Sequence, residues 1–269
     1  IADAEAQVAD LERKVKTVSI KKIKEAIKGK EVPNFFEYAY KRMEIIKSTV
    51  SYSTYKAYYA AIVKFEKWVG TRDVYFDDFS VTLLNDYKNY LSKELKNGLT
   101  TQRLSIIVLG TIFNQAIKEE IIPETMFPFK KLTLKTDNTK RLFLNKDKIL
   151  DLTQLKLIEG KKANLWRDLF LFSIYAGGLR FSDVIEMQYK HYNKNEQRIS
   201  KLIRKTGRPH QFKIGKVAID ILEKYCKEGA DNEDYIFPVI EDQKGYERSE
   251  SLRYFYTAKY NKLANWHLK

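Results

Sequence analysis

The stretch RISKLIRKTGRPHQFKI, Arg198 to Ile214, alternates along its length and turns about Thr206-Gly207. A period of two around a Gly-containing turn spells a β-hairpin. Apart from the short DYIF before Pro238, read as one more strand, the other patterned segments repeat at helical spacing. That contrast sets the fold class: mostly α, with a small β-hairpin or sheet. Only 11 Gly and 5 Pro in 269 residues agree with it. With 18 Tyr and 15 Phe the chain has the aromatic content to form cores and is not a disordered polymer.

The spacing divides the chain into four parts. Residues 1–32 read as an N-terminal linker helix, with Val8, Leu11 and Val15 and then Ile20, Ile23 and Ile27 in register. Residues 33–128 hold four helical segments. Asn34 caps the first and Ser51 starts the second, which stops at Gly70; Ser80 caps the third, and a Thr begins the fourth at TTQRLS. Residues 129–143, FKKLTLKTDNTKRLF, lack a helical period and carry five cations against Asp137, so they read as a basic interdomain linker. Residues 144–269 form a second domain. In it KANLWRDLFLFSIYAG is apolar almost all round, as a core helix is, and YERSESLRYFYTAKYNKLANWHLK is helical to the end.

The formal net charge is +14, which points to a polyanionic partner, with Lys chosen for solubility as the alternative. The charge is concentrated. From Arg198 to Lys216 there are seven Lys or Arg and no Asp or Glu, so the hairpin either stays in water or lies on an anion. A two-stranded ribbon fits a nucleic-acid groove. The lone Cys226 excludes an intrachain disulfide, fits a reducing compartment and, in a helical pattern, reads as a buried thiol rather than a nucleophile. No apolar run approaches the ~20 residues of a membrane span. The three His are far apart, and neither a metal site nor a phosphate-binding Gly loop is evident, so no cofactor is expected.

One more stretch carries chemistry. LFLFSIYAGGLRFSDVIEM, Leu169 to Met187, is apolar until Gly177-Gly178, then presents Arg180 with Asp183 three residues later. A guanidinium fixed by packing and buttressed by a carboxylate makes a rigid anion clamp. The same spacing also describes an ordinary surface ion pair on a helix. His191 and His210 match no catalytic pattern, and Tyr254, Tyr256 and Tyr260 read as packing or surface residues.

YAGGLRFSDVIEM resembles the first conserved box of the tyrosine recombinases, the phage-type integrases, with Gly178-Leu179-Arg180 and the acid at Asp183. RKTGRPHQFKI resembles that family's β-hairpin, whose lysine stands before a Thr-Gly turn, here Lys205. YIFP looks like the following strand. TYKAYYAAIVKFEKWVG, LLNDYKNYL and TTQRLSIIVLGTIFNQAIKEEII are similar to the helical core-binding domain of integrases from bacterial mobile elements. The resemblance covers about residues 20–269.

It implies a helical core-binding domain followed by the N-terminal part of an α+β catalytic domain. It also implies site-specific recombination of double-stranded DNA through a phosphotyrosine intermediate, without a cofactor. Arg180 would clamp the scissile phosphate, Lys205 would protonate the leaving 5′-oxygen, and Asp183 would support the site. Thr54, Lys56, Thr101 and Arg103 at helix starts would meet DNA, as would Lys140 and Arg141 of the linker and Lys201, Arg208 and Lys213 of the hairpin. The implied assembly is a tetramer on paired sites, in the bacterial cytoplasm with the nucleoid. The family's His-x-x-Arg box and nucleophilic tyrosine are not matched here, and the first residue is Ile. The expectation is therefore a piece of a longer recombinase, inactive in strand cleavage by itself. The alternative is a non-catalytic DNA-binding protein derived from a truncated recombinase.

Overall fold

The computed structural model describes residues 32–137, 143–157 and 162–268. The chain divides into two compact units between residues 140 and 141. The helix expected over residues 1–32 falls almost wholly outside the described residues.

The first unit contains α1 (Phe35–Ile46), α2 (Tyr52–Val69), α3 (Val81–Lys93) and α4 (Leu99–Lys118). Asn34 caps α1 by accepting the Glu37 N–H at 3.0 Å, and Ser80 caps α3 by accepting that of Leu83 at 3.1 Å. Gly70 ends α2 at φ +78°, a left-handed conformation that suits glycine. Helix α4 starts differently from its expected Thr cap. Its N-cap is Gly98, which offers no side-chain acceptor, and the Gln102 amide returns to the Asn97 carbonyl at 2.7 Å.

An aromatic cluster forms the core. The Phe35 ring meets those of Phe36, Phe65, Phe76, Phe79 and Phe113 at centroid separations from 4.6 to 6.0 Å. Burying each such ring contributes roughly 1.5–3 kcal/mol, so these helices are held mainly by their shared face. The expected linker does not begin at 129. Phe129 lies 3.5 Å from the position a Cβ would take on Gly110, and Leu132 and Leu134 pack on the same core. Lys88 also donates to the Thr133 carbonyl at 3.3 Å. Apolar residues at 129, 132 and 134 thus draw the start of that basic segment into the first unit.

The second unit contains α5 (Lys146–Gln154), α6 (Lys162–Tyr175), α7 (Phe181–Ile185), β1 (Tyr192–Asn193), β2 (Arg198–Ile203), β3 (Arg208–Lys213), α8 (Lys216–Tyr225), α9 (Gln243–Glu247) and α10 (Glu250–His267). The strands form one antiparallel sheet in the order β1-β2-β3, with Ile203 opposite Arg208 and Arg198 opposite Lys213. Trp166, Leu169, Leu171 and Phe172 of α6 sit in a core shared with α7, the sheet and α8. Asp168 is also inside, and receives Arg167, Lys224 and Tyr225. Two details differ from expectation. DYIF makes a single bridge, Tyr235 to Gln188, and not a strand. The C-terminal helical stretch is cut at Ser249, whose hydroxyl accepts the Leu252 N–H at 3.2 Å and begins a separate helix.

Candidate active site

The turn that presents Arg180 is built by its neighbours. After α6, Gly177 and Gly178 both take left-handed conformations, φ +72° and +73°. A residue with a Cβ is strained there. The reversal lets Ser173 close the turn. Its carbonyl accepts the N–H of Gly178 at 2.9 Å, and its hydroxyl donates to the Leu179 carbonyl at 2.5 Å. Leu179 is buried, and the next residue, Arg180, is exposed as the N-cap of α7. Among the described residues no ion pair or hydrogen bond holds the Arg180 side chain.

The acids of α7 point inward. Asp183 is 0 % exposed. Its Oδ1 accepts the backbone N–H of Arg204 at 3.2 Å, and its Oδ2 has no hydrogen-bond partner among the described residues. The expected buttress for Arg180 is therefore a buttress for the hairpin: at this spacing the short helix turns Asp183 inward while Arg180 stays outside. Glu186, next after α7, is also buried. It accepts Arg204 Nη1 at 2.7 Å and the Tyr246 hydroxyl at 2.5 Å, and that hydroxyl lies 2.9 Å from Thr257 Oγ1.

Lys201 also corrects an expectation. It is only 7 % exposed, and its Nζ donates to the Glu186 carbonyl at 2.8 Å. Burial lowers its pKa against the opposing pull of Glu186 and Asp183. Strand alternation explains the misplacement. Ile199, Lys201 and Ile203 share the inner face of β2, so Lys201 meets the protein and not DNA. Its cation contributes to lowering the His191 pKa to about 4, after burial as the larger cause.

The hairpin and the Arg180 turn are thus joined at several points: Arg204 to Asp183 and Glu186, Lys201 to Glu186, and the Phe212 ring 3.7 Å from where a Gly177 Cβ would lie. Beyond these joints the tip is open. Lys205 lies exposed in the turn completed by Gly207 at φ +62°. Of the seven cations, Lys201 and Arg204 are engaged inside, Arg198 pairs with Glu196, and Lys216 pairs with Asp220. Lys205, Arg208 and Lys213 are exposed and make no ion pair among the described residues.

A family model for the phage integrase SAM-like domain matches residues 34–133. The tyrosine recombinase XerA of Pyrococcus horikoshii is 24% identical over 165 residues, 61% of this chain and 54% of XerA. The fold is similar to a lambda integrase tetramer bound to a Holliday junction. That similarity has a TM-score of 0.59 at 17% identity, over 87% of this chain and 64% of that one. It is also similar to the Tn1549 transposon integrase in complex with circular intermediate DNA, with a TM-score of 0.57 at 17% identity, over 85% and 79%. The chain is thus similar to a tyrosine recombinase and, in fold, to integrases. It spans about half the length of the curated relative it matches.

Four of the remaining expected contacts lie in the first unit. Lys56 of α2 is exposed, whereas Thr54 is half-buried and its hydroxyl lies 2.9 Å from that of Ser51. Thr101 and Arg103 are exposed on the opening turns of α4. Lys140 and Arg141 lie outside the described residues. Tyr256 and Tyr260 stack at 6.2 Å and are partly buried on the core. Among the described residues no His, Cys, Asp or Glu cluster could hold a metal ion, and no helix is long and apolar enough to cross a membrane. Sequence reasoning missed Glu186, Arg204, Tyr246 and Thr257. Their partners are 11 to 60 residues apart, and no local spacing announces them.

Proposed function

We propose that this chain is the DNA-clamping portion of a site-specific recombinase, an integrase of a mobile element, that breaks and rejoins duplex strands through a phosphotyrosine intermediate. One observation supports this above the others: an exposed Arg180, unpaired among the described residues, follows a turn closed by Ser173 and anchored by buried Leu179, and that turn is tied to the hairpin carrying an equally free Lys205. An arginine held without competition from a carboxylate is preorganised for phosphoryl oxygens. In the proposed reaction a tyrosine hydroxyl attacks phosphorus and the bond to the 5′-oxygen breaks. Lys205 gives that oxygen its proton. Arg180 stabilises the charge on the non-bridging oxygens.

Duplex DNA is the proposed partner, met through Arg180, Lys205, Arg208 and Lys213 in the second unit and through Lys56, Thr101 and Arg103 in the first. Assembly as a tetramer on paired sites, with the nucleoid of a bacterial cell, belongs to the same proposal. Neither Tyr256 nor Tyr260 is assigned as the nucleophile. The test is binding to a 30-base-pair duplex between 50 and 200 mM salt. Four phosphate contacts alone imply a fall of roughly 150-fold, from a slope of about −0.9 per contact. Affinity that ignores salt refutes the proposal.

A further inference from the structure

Arg204 sits immediately before Lys205, yet its side chain turns away from the tip. Nη1 reaches Glu186 at 2.7 Å and Nη2 reaches Glu250 Oε2 at 3.1 Å, while its backbone N–H reaches Asp183 at 3.2 Å. The two carboxylates come from different places, one following α7 and one in the first turn of α10. Glu186 is held from its other side by Tyr246, which in turn meets Thr257 of α10. Ahead of this joint, among the described residues, the tip is held by its own turn. The N–H groups of Thr206 and Gly207 both go to the Ile203 carbonyl, at 3.2 and 2.8 Å. A planar guanidinium with separate donors can bridge two carboxylates in fixed directions, which an ammonium cannot do. With two carboxylates on it, Arg204 is also the wrong cation to offer to a phosphate.

We infer that Arg204 is a positioning residue, which fixes Lys205 relative to the Arg180 helix by locking the start of the hairpin's turn to Glu186 and Glu250. The inference rests on the reading of Lys205 as a phosphate contact. Its consequence is that the place of Lys205 is set jointly by α7 and by the start of α10, so a displacement of α10 is transmitted to the tip.

The experiment combines amide hydrogen exchange with a double-substitution cycle in DNA affinity, on the full chain. In Arg204→Met, which loses both charge-assisted hydrogen bonds of the guanidinium, the amides of Thr206 and Gly207 exchange at least about tenfold faster, while those of α6 keep their rates. Lys205→Ala weakens duplex binding severalfold in the parent and by much less in the Arg204→Met background, because an untethered lysine must first be ordered. Arg204→Lys restores only part of the protection. If Arg204→Met does not fold, Glu250→Gln removes the exposed arm alone and speeds the same two amides by a smaller factor. Unchanged exchange at Thr206 and Gly207 overturns the inference, and so does a full Lys205→Ala penalty in the Arg204→Met background. If Lys205→Ala costs nothing in the parent, the functional reading of Lys205 has failed, and the exchange rates alone decide the tether.

Discussion

Replacing Lys201 with Met separates the two roles open to a lysine on this hairpin. The substitution keeps the length and most of the volume of the side chain. It removes the ammonium that donates to the Glu186 carbonyl at 2.8 Å, in a site only 7 % exposed. A buried acceptor left unsatisfied costs about 1–3 kcal/mol. The neighbouring carboxylates of Asp183 and Glu186 lose a compensating charge as well, offset in part by relief of the ammonium's own desolvation. For a unit of about 130 residues each kcal/mol moves the melting temperature by roughly 4 °C, so the expected loss is about 4–12 °C. A solvent-exposed lysine would move it by about 2 °C or less. The same protein is then titrated with duplex DNA over a salt series. An internal Lys201 leaves the slope of log affinity against log salt unchanged, whereas loss of a phosphate contact lowers it by ~0.9. An unchanged melting temperature together with a reduced slope would falsify the placement of Lys201.

Three further outcomes follow from the geometry. Gly178→Ala meets no atom within 4 Å, so its effect isolates backbone strain at φ +73°, and thermal unfolding should show a loss of about 1–2 kcal/mol. His191 is held near pKa 4 against an ordinary 6.5, by burial first and then by the cations of Lys201 and Lys190. The unfolded chain therefore binds the proton first, stability drops as pH falls from 6.5 to 4, and His191→Asn should flatten that part of a denaturation profile. Burial alone would raise the Asp168 carboxyl, but hydrogen bonds from Lys224, Arg167 and Tyr225 outweigh it and hold it below 3.8. Its contribution is present above that pH and lost below it, so Asp168→Asn should be less stable than the parent at pH 7 and approach it at acid pH, by urea unfolding.

Much of the fold was legible because its signals are local. Asn34, Ser51 and Ser80 announce helix starts by a side-chain acceptor three residues ahead of an N–H, and Gly70 announces a stop. The hairpin was legible in its alternation, and Arg180 in the Gly-Gly break before it. Errors arose where a residue's fate depends on remote partners. Lys201 looks like its charged neighbours, and only its place on the inner face of β2 under Glu186 sets it apart. Asp183 is spaced to pair with Arg180 but is turned to the Arg204 N–H, 21 residues on. Phe129 reads as linker until Gly110 supplies a flat seat for its ring. The polar joint of Glu186, Arg204 and Tyr246 spans three segments and has no sequence spacing of its own.

The most direct test of the central claim is the salt dependence of duplex DNA binding with the four exposed cations proposed to meet DNA in the second unit removed together, as Arg180→Gln, Lys205→Gln, Arg208→Gln and Lys213→Gln. These side chains hold no ion pair among the described residues and are exposed, so the fold should be unaffected. If they are the phosphate-facing surface, the slope of log affinity against log salt becomes shallower by about 3.6, or ~0.9 for each. A slope within experimental error of the parent's would mean that DNA, if bound at all, lies elsewhere, and that Arg180 and Lys205 face no phosphate.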